Sequence, residues 1–411
     1  MKLGSNWDNS SNCGSRCANC NNFSANGSNA NISARGTSDT GSASSAGGYA
    51  LAMPKHAEGR FGWLVVIANV RRTNLKRHGN LFSKIAEMDN LMVAFHNAAK
   101  GKRWQRQIQV AERDEEKLLF ALKESLSNHT FKTSAYRKKW IFEPKKRQIF
   151  ILPFYPDRVV QHAIMQVLEP IWDKLMIHNS FACRKSKGQH KASVVCKHYA
   201  MRYEYCVQCD ISKFYPSIPH KKLKTLIRRK IKDKDLLWLL DDIIDSAEGD
   251  RNVPIGNYLS QWFGNLYMND LDTFVKQTIH VKPYLRYCDD FLFFGDEKET
   301  LKLIADKAEQ FCNDILDLRL SKKNLFHTYQ GVDFVGYRHF HSGKVLVRKR
   351  TAKRIMQKLK KLPAKLKSGR IQKDKARSVI ASADGWLCHA NTYHMRESME
   401  LWKLKGLVKG A

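Results

Sequence analysis

Three aspartates occupy places where an acid is costly. Asp210 closes the mostly apolar run Tyr203-Glu204-Tyr205-Cys206-Val207-Gln208-Cys209, and 79 residues later Asp289 and Asp290 sit between the flanks Tyr284-Leu285-Arg286-Tyr287 and Phe291-Leu292-Phe293-Phe294. A carboxylate at the end of an apolar strand is unfavourable unless something pairs with it. A single one reads as a capped turn. Three that converge call for divalent cations, because a pair of Mg²⁺ ions roughly 4 Å apart can activate a 3′-hydroxyl and neutralise a departing pyrophosphate.

The elements that must position these acids follow from hydrophobic period and from helix start and stop signals. Tyr203 to Ile211 reads as a strand, and Tyr284 to Phe294 as two strands with a tight turn at Cys288-Asp289-Asp290. Between them Lys221 to Ile231, Leu236 to Ser246 and Asn257 to Val275 have helical spacing. Upstream, Leu81 to Ala99 reads as an amphipathic helix stopped by Gly101, and Asp114 to Ser127 as a second one opened by acids that suit a helix N-terminus. Thr133 to Ile151 reads as a basic hairpin turning at Glu143-Pro144, and Asp157 to Leu175 as a helix. Downstream, a helix from Glu297 to Leu316 precedes short strands at Asp333 to Phe340 and Lys344 to Val347. This alternation predicts a small α+β sheet domain.

Charge points to the partner. The 411 residues include 71 Lys+Arg and 39 Asp+Glu, a net charge of +32, yet 43% of them are hydrophobic, with nine Trp, fourteen Tyr and twenty Phe. A wholly disordered or fibrous chain is excluded, and a folded protein built around a polyanion, foremost nucleic acid, is expected. From Lys344 to Arg377 there are fifteen Lys or Arg and one acid, Asp374, above Leu359, Leu362 and Leu366 at helical spacing. A face of nearly one sign repels itself unless phosphates lie on it.

The first 50 residues are a different material: nine Asn, eleven Ser and seven Gly, with three basic residues against two acidic, so the other 361 carry +31. Such a composition cannot bury a core and predicts disorder. No secretory leader is expected at this polar start. The apolar run Trp63 to Val70 falls far short of the roughly 20 residues of a membrane span, so a soluble, cytoplasmic protein without membrane contact is expected. Of the ten cysteines, Cys17/Cys20 and Cys206/Cys209 have C-x-x-C spacing, but Cys13, Cys17 and Cys20 lack a nearby His and structural zinc is disfavoured. Cys206 and Cys209 read as buried thiols, and His162 and His389 as packed core histidines.

Tyr287-Cys288-Asp289-Asp290 resembles the YxDD box of reverse transcriptases, and Cys209-Asp210-Ile211-Ser212-Lys213-Phe214-Tyr215 resembles their first catalytic motif. Pro254-Ile255-Gly256-Asn257-Tyr258-Leu259-Ser260-Gln261 stands between them, as their nucleotide-facing glycine motif does. Leu320-Ser321-Lys322-Lys323 and Phe334-Val335-Gly336-Tyr337 are similar to later palm motifs, and Lys145 to Ile149, Asp157 to His162 and Phe181 to Gly188 to the fingers; the likeness covers about residues 76 to 400. It implies a nucleotidyltransferase, an RNA-directed DNA polymerase shaped as a right hand with fingers, a ferredoxin-like palm with an antiparallel sheet, and a basic helical thumb.

The resemblance also assigns roles. Asp210, Asp289 and Asp290 would be catalytic and hold two Mg²⁺ ions, with Mn²⁺ as a substitute and the carbonyl of Ile211 as a further ligand. Tyr215 would exclude a ribose 2′-hydroxyl, or else be a core aromatic. Arg147 and Lys145 would grip the triphosphate, guanidinium matching phosphate oxygens in a bidentate way, or else lie on a basic RNA-facing strand. Ile255, Gly256 and Gln261 would face the nucleotide and template. Arg184 and Lys187, with Arg348, Lys349, Arg350, Lys353, Arg354 and Lys358 of the thumb, would contact RNA or DNA. Lys323 would protonate pyrophosphate or simply be solvated.

Within the superfamily, Ile255 and Gln261 stand where retroviral and intron enzymes commonly carry Gln and Pro. An Ile-Gly-x-x-x-Ser-Gln pattern is similar to the reverse transcriptases of diversity-generating retroelements, as are Lys76 to Phe82 and Gly385 to Asn391. This implies copying of a template-repeat RNA into cDNA with errors at adenines, a primer, dNTPs, and a basic multimeric accessory variability protein, in a bacterial, archaeal or phage setting. Ile beside the incoming base would remove hydrogen bonds that enforce correct geometry. Leu3 to Asn9 and the Asn-rich stretch after it resemble the variable segment of such elements' target proteins, so residues 1–52 are expected to be a disordered tail of template-repeat-like sequence. A linker at 53–75, fingers at 76–200, a palm at 201–343 with an inserted fingers element at 221–250, and a thumb at 344–411 complete the expected layout. An intron- or retron-type enzyme without mutagenic bias is the alternative, and a non-catalytic RNA-binding scaffold a second.

Overall fold

A computed structural model describes residues 76–142 and 146–408. The expected tail and linker, the expected hairpin turn at Glu143-Pro144, Cys13, Cys17, Cys20 and Lys145 lie outside the described residues.

Four helices come first: α1 Phe82–Ala86, α2 Met88–Ala99, α3 Arg106–Arg113 and α4 Glu115–Ser127. One helix was expected over Leu81 to Ala99, but Glu87 is extended (φ −61°, ψ 138°) and separates two. The Asn90 side chain compensates by donating to the Ile85 carbonyl (3.0 Å) and to the Ala163 carbonyl (3.2 Å) of a later helix. Helix α3 has polar residues on most of its surface and was not expected. Strands β1 Arg137–Ile141 and β2 Arg147–Ile151 pair antiparallel as the basic hairpin. Then follow α5 Val159–Asp173 and α6 Gln189–Arg202, the latter also unexpected.

The central sheet is built from β3 Tyr205–Ile211, β4 Tyr284–Tyr287, β5 Asp290–Gly295 and β6 Leu320–His327, in the antiparallel order β4-β5-β3-β6. Between β3 and β4 run the single turn α7 Phe214–Ser217 and helices α8 His220–Arg228, α9 Lys234–Asp245 and α10 Tyr258–Thr273. Helix α11 Lys298–Phe311 crosses from β5 to β6 and packs on the sheet through Leu301, Ile304, Ala305 and Ala308. Strand β6, a flank of the catalytic strand, was not foreseen: its sequence Leu-Ser-Lys-Lys-Asn-Leu-Phe-His lacks the apolar alternation of a half-buried strand, and at this edge of the sheet none of its residues is buried.

The core runs from Trp172 of α5 through Trp262 and Tyr267 of α10 to Tyr284, Phe291 and Phe293 of the sheet, all at or below 1% exposure. At the front, Asp233 caps α9 by accepting from the Leu236 N–H (3.1 Å). It also accepts from the N–H groups of Leu81 (2.6 Å) and Phe82 (3.0 Å), which docks the first helix on α9.

A second sheet of β7 Val332–Phe334, β8 Tyr337–His339 and β9 Val345–Val347 follows. The single strand expected over Asp333 to Phe340 is thus a hairpin, turned by Val335 and Gly336, both at positive φ. Helices α12 Lys349–Lys360, α13 Leu362–Lys367, α14 Lys373–Cys388, α15 Tyr393–Ser398 and α16 Leu401–Val408 close the chain. No helix among the described residues is long and apolar enough to cross a membrane.

Candidate active site

The three aspartates lie at one end of the central sheet. Asp210 and Asp290 are direct cross-strand partners at the ends of β3 and β5, and Asp289 precedes Asp290 in the turn from β4. The β3–β6 register shifts between Asp210 and Ile211, an irregularity of the kind that re-aims side chains beside active sites. Ser321 of β6 donates to Asp210 Oδ2 (3.0 Å), and Gln208 Nε2 donates to Asp290 Oδ1 (3.0 Å).

Asp289 is 1% exposed and its Oδ1 has no hydrogen-bond partner. Burial pushes its carboxyl well above the ordinary carboxylate range, and Cys288, Asp210 and Asp290 push the same way. An orphaned, buried carboxylate oxygen flanked by two more carboxylates is a donor set that fits a divalent cation. Among the described residues no three His, Cys, Asp or Glu side chains close on a common point; the acids share an end of the sheet without forming a finished cage.

Strand alternation sorts the lysines of β6. Lys322 pairs across from Asp210 and donates to Gln208 Oε1 (2.6 Å), on the aspartates' face. Lys323 lies opposite Cys209 and points to the helix side, where it bonds Asp306 of α11 (2.7 Å) and Glu309. The pyrophosphate role considered for Lys323 is therefore corrected: its ammonium faces away from the aspartates. Gln208 was missed entirely, although an amide in the middle of an apolar strand signals a buried partner.

Tyr215 is 5% exposed, packed on Phe214, and its hydroxyl lies 3.3 Å from Cys288 Sγ in the aspartate turn. Its carbonyl accepts the Val253 N–H (2.9 Å), which ties the glycine motif to the same corner. That motif lies along β2: the Phe150 N–H donates to the Ile255 carbonyl (2.8 Å), and Gly256 has φ +119° with the Phe150 carbonyl oxygen only 2.7 Å from where a Cβ would stand. Arg147 begins β2, half-buried, so Ile255 and Arg147 are brought to one hairpin. Gln261 is half-buried in the first turn of α10.

Three residues expected at nucleic acid have partners within the chain. Arg184 is 7% exposed at its side chain and its guanidinium bonds Asp173 Oδ1 (2.6 Å) and the carbonyls of Ile177 (2.7 Å), Ser180 (2.9 Å) and Asp173 (3.3 Å), so it clamps its own loop and is not a phosphate contact. Lys187 donates to the His178 carbonyl (2.8 Å) above the Phe181 ring, and Arg348 pairs with Asp333 of β7. Lys349, Arg350, Lys353, Arg354 and Lys358 are exposed on α12, opposite its buried Ala352, Ile355 and Leu359. His162 stacks on Tyr258 and His389 on His190, each with its pKa lowered to about 4 chiefly by burial. Cys206 and Cys209 are free, buried thiols.

The sheet brings strand-end acids of β3 and β5 face to face, and comparison with known proteins gives the class of protein to which such a sheet belongs here. Residues 136–339 match the family described as reverse transcriptase (RNA-dependent DNA polymerase). The chain is 25% identical over 278 residues to protein YkfC of Escherichia coli strain K12, covering 56% of this chain and 69% of that one. It is 22% identical over 288 residues to the group II intron-encoded protein LtrA of Lactococcus lactis subsp. cremoris, covering 52% and 48%, so it spans about half of LtrA's length. Apo telomerase from Candida Tropicalis aligns with a TM-score of 0.41 at 15% identity over 53% of this chain and 55% of that one. The chain carries a reverse transcriptase domain, an RNA-directed DNA polymerase by class, homologous to the group II intron-encoded enzymes.

Proposed function

We propose that this reverse transcriptase copies a template-repeat RNA into cDNA with errors at adenines, as the enzyme of a diversity-generating retroelement. The observation that carries the reading is Ile255. The backbone of this residue is pinned to β2 through the Phe150 N–H, beside the strand that bears Arg147, and it presents an apolar side chain where a hydrogen-bonding one is usual in intron enzymes. On this reading the partners are the template-repeat RNA, a primer, dNTPs and an accessory variability protein multimer. Residues 76–200 would serve as fingers, 201–343 as palm and 344–411 as thumb, with the exposed lysines and arginines of α12 lying on the template–primer duplex.

Asp210, Asp289 and Asp290, with the Ile211 carbonyl, would hold two Mg²⁺ ions, which when bound lower the pKa of the primer hydroxyl and neutralise charge on the leaving pyrophosphate. The protein's own part is to hold the acids: Ser321 fixes Asp210 and Gln208 fixes Asp290. Arg147 would orient the triphosphate. Tyr215 would close the corner against a 2′-hydroxyl, its ring wedged against α10, where only the absence of a side chain at Gly264 makes room (a Cβ would stand 3.1 Å from the ring). Tyr215→Ala is expected to raise ribonucleotide incorporation relative to dNTP roughly 10- to 100-fold, the scale of a lost steric contact, read by alkali-sensitive cDNA; an unchanged ratio removes this role.

The test of the function is the error spectrum of the purified enzyme on an adenine-rich RNA. Ile255→Gln is expected to lower misincorporation opposite adenine selectively. Wild-type errors that show no adenine bias would instead favour the second reading, a non-mutagenic intron-type enzyme, which the similarity to LtrA supports.

A further inference from the structure

Arg286 stands in the middle of β4 and is 0% exposed, as is Asp272 of α10. All five N–H donors of its guanidinium have acceptors. Nε donates to Asp272 Oδ1 (2.8 Å), and Nη2 to Asp272 Oδ2 (2.6 Å) and Ser180 Oγ (3.1 Å). Nη1 donates to Asn265 Oδ1 (3.2 Å) and to the carbonyl oxygen of Cys288 (2.9 Å). The Tyr284 hydroxyl donates to Asp272 Oδ1 (2.7 Å), which completes the acceptor side.

A buried ion pair is weak evidence for stability, since desolvating both charges offsets most of their attraction. Placement is more informative. The carbonyl that Nη1 grips belongs to the peptide between Cys288 and Asp289, and Cys288 has φ +60°, a left-handed conformation that a residue with a side chain adopts only when its surroundings impose it.

We propose that Arg286 is the positioning residue of the aspartate turn: through the Cys288 carbonyl it holds the peptide that presents Asp289, and Asp272 holds Arg286. The inference rests on the reading of Asp289 as a metal ligand. Arg286 does not touch substrate; it acts through Asp289.

The full chain is tested with Arg286→Lys, which keeps a charge beside Asp272 but cannot also span to Cys288, and with Arg286→Met/Asp272→Leu, which removes both charges and leaves neither unpaired. Mn²⁺ affinity is read from the free-ion electron paramagnetic resonance signal, beside kcat, the KM for primer–template and thermal melting. Both variants are expected to bind Mn²⁺ about 10-fold more weakly and to lose about 10- to 100-fold in kcat at unchanged primer–template KM, the scale of a small misplacement of a reacting group. Ser180→Ala, which removes a different contact of the same guanidinium, should leave Mn²⁺ affinity unmoved.

Wild-type Mn²⁺ affinity and kcat in either folded variant overturn the proposal whatever the melting temperature. Failure of both to fold also overturns it, because the pair is then a folding element. Asp289→Asn separates the two levels. If that variant keeps Mn²⁺ affinity and activity, the metal reading itself falls; if it loses them while the Arg286 variants do not, only the role of Arg286 falls.

Discussion

Asp289→Asn is expected to abolish primer extension, by roughly 1,000-fold or more, and at the same time to make the metal-free protein melt at a higher temperature near neutral pH. The first effect follows from removing a charged ligand from a centre that supplies several kcal/mol of transition-state charge stabilisation. The second follows from burial. Asp289 is 1% exposed, has an orphaned Oδ1, and its carboxyl is pushed well above the ordinary range by burial and by Cys288, Asp210 and Asp290. Without cation the folded state therefore keeps a proton that the unfolded chain has already released. Stability falls as pH rises from the ordinary carboxylate range toward the raised value. Asparagine has no proton to lose, so in the variant that fall is reduced. Mg²⁺, which favours the folded state by binding it, should raise the melting temperature of the wild type and do little for the variant. Primer extension on an RNA template and calorimetry with and without Mg²⁺ read both effects. Wild-type cDNA synthesis in the variant would overturn the assignment of the aspartates.

Much of this site was legible in the sequence because the physics there is local. Two short apolar runs flanking adjacent acids read as strands with a tight turn, and β4 and β5 are joined in that way. Strand β3 likewise carries its acid next to its end at Ile211, and it starts two residues after the expected Tyr203. What was not legible depends on distant partners. Strand β6 carries Ser, two Lys and Asn, and only its pairing with β3 makes it a strand. Arg184 looks like any loop arginine until Asp173 and three carbonyls close around it. The alternation that separates Lys322 from Lys323 cannot be used before β6 is known to be a strand. Two signals were available and passed over: Gln208 in an apolar strand and Arg286 in Tyr-Leu-Arg-Tyr, each a buried polar group that must have a partner.

The glycine motif gives the second large effect, on stability and substrate binding together. Gly256→Ala is expected to destabilise the fold by about 2–5 kcal/mol and to raise the KM for dNTP more than it changes the KM for primer–template. Two costs combine. At φ +119° an L side chain is strained wherever it stands, and here the new Cβ would also lie 2.7 Å from the Phe150 carbonyl oxygen and 3.0 Å from Ile149 Cγ2. The backbone oxygen cannot swing aside as a flexible side chain would, and moving the segment breaks the 2.8 Å bond from the Phe150 N–H to the Ile255 carbonyl. The loop must lift from β2, which carries Arg147, and the corner between Ile255 and the hairpin widens. Gly101→Ala separates the two costs, because Gly101 also has positive φ, +73°, yet nothing lies within 4 Å of its Cβ position. That variant should lose only about 1–2 kcal/mol with dNTP binding intact. Equal losses in the two variants, measured by urea unfolding, would mean that conformation alone matters at Gly256. A dNTP KM unchanged in Gly256→Ala would detach the motif from the nucleotide.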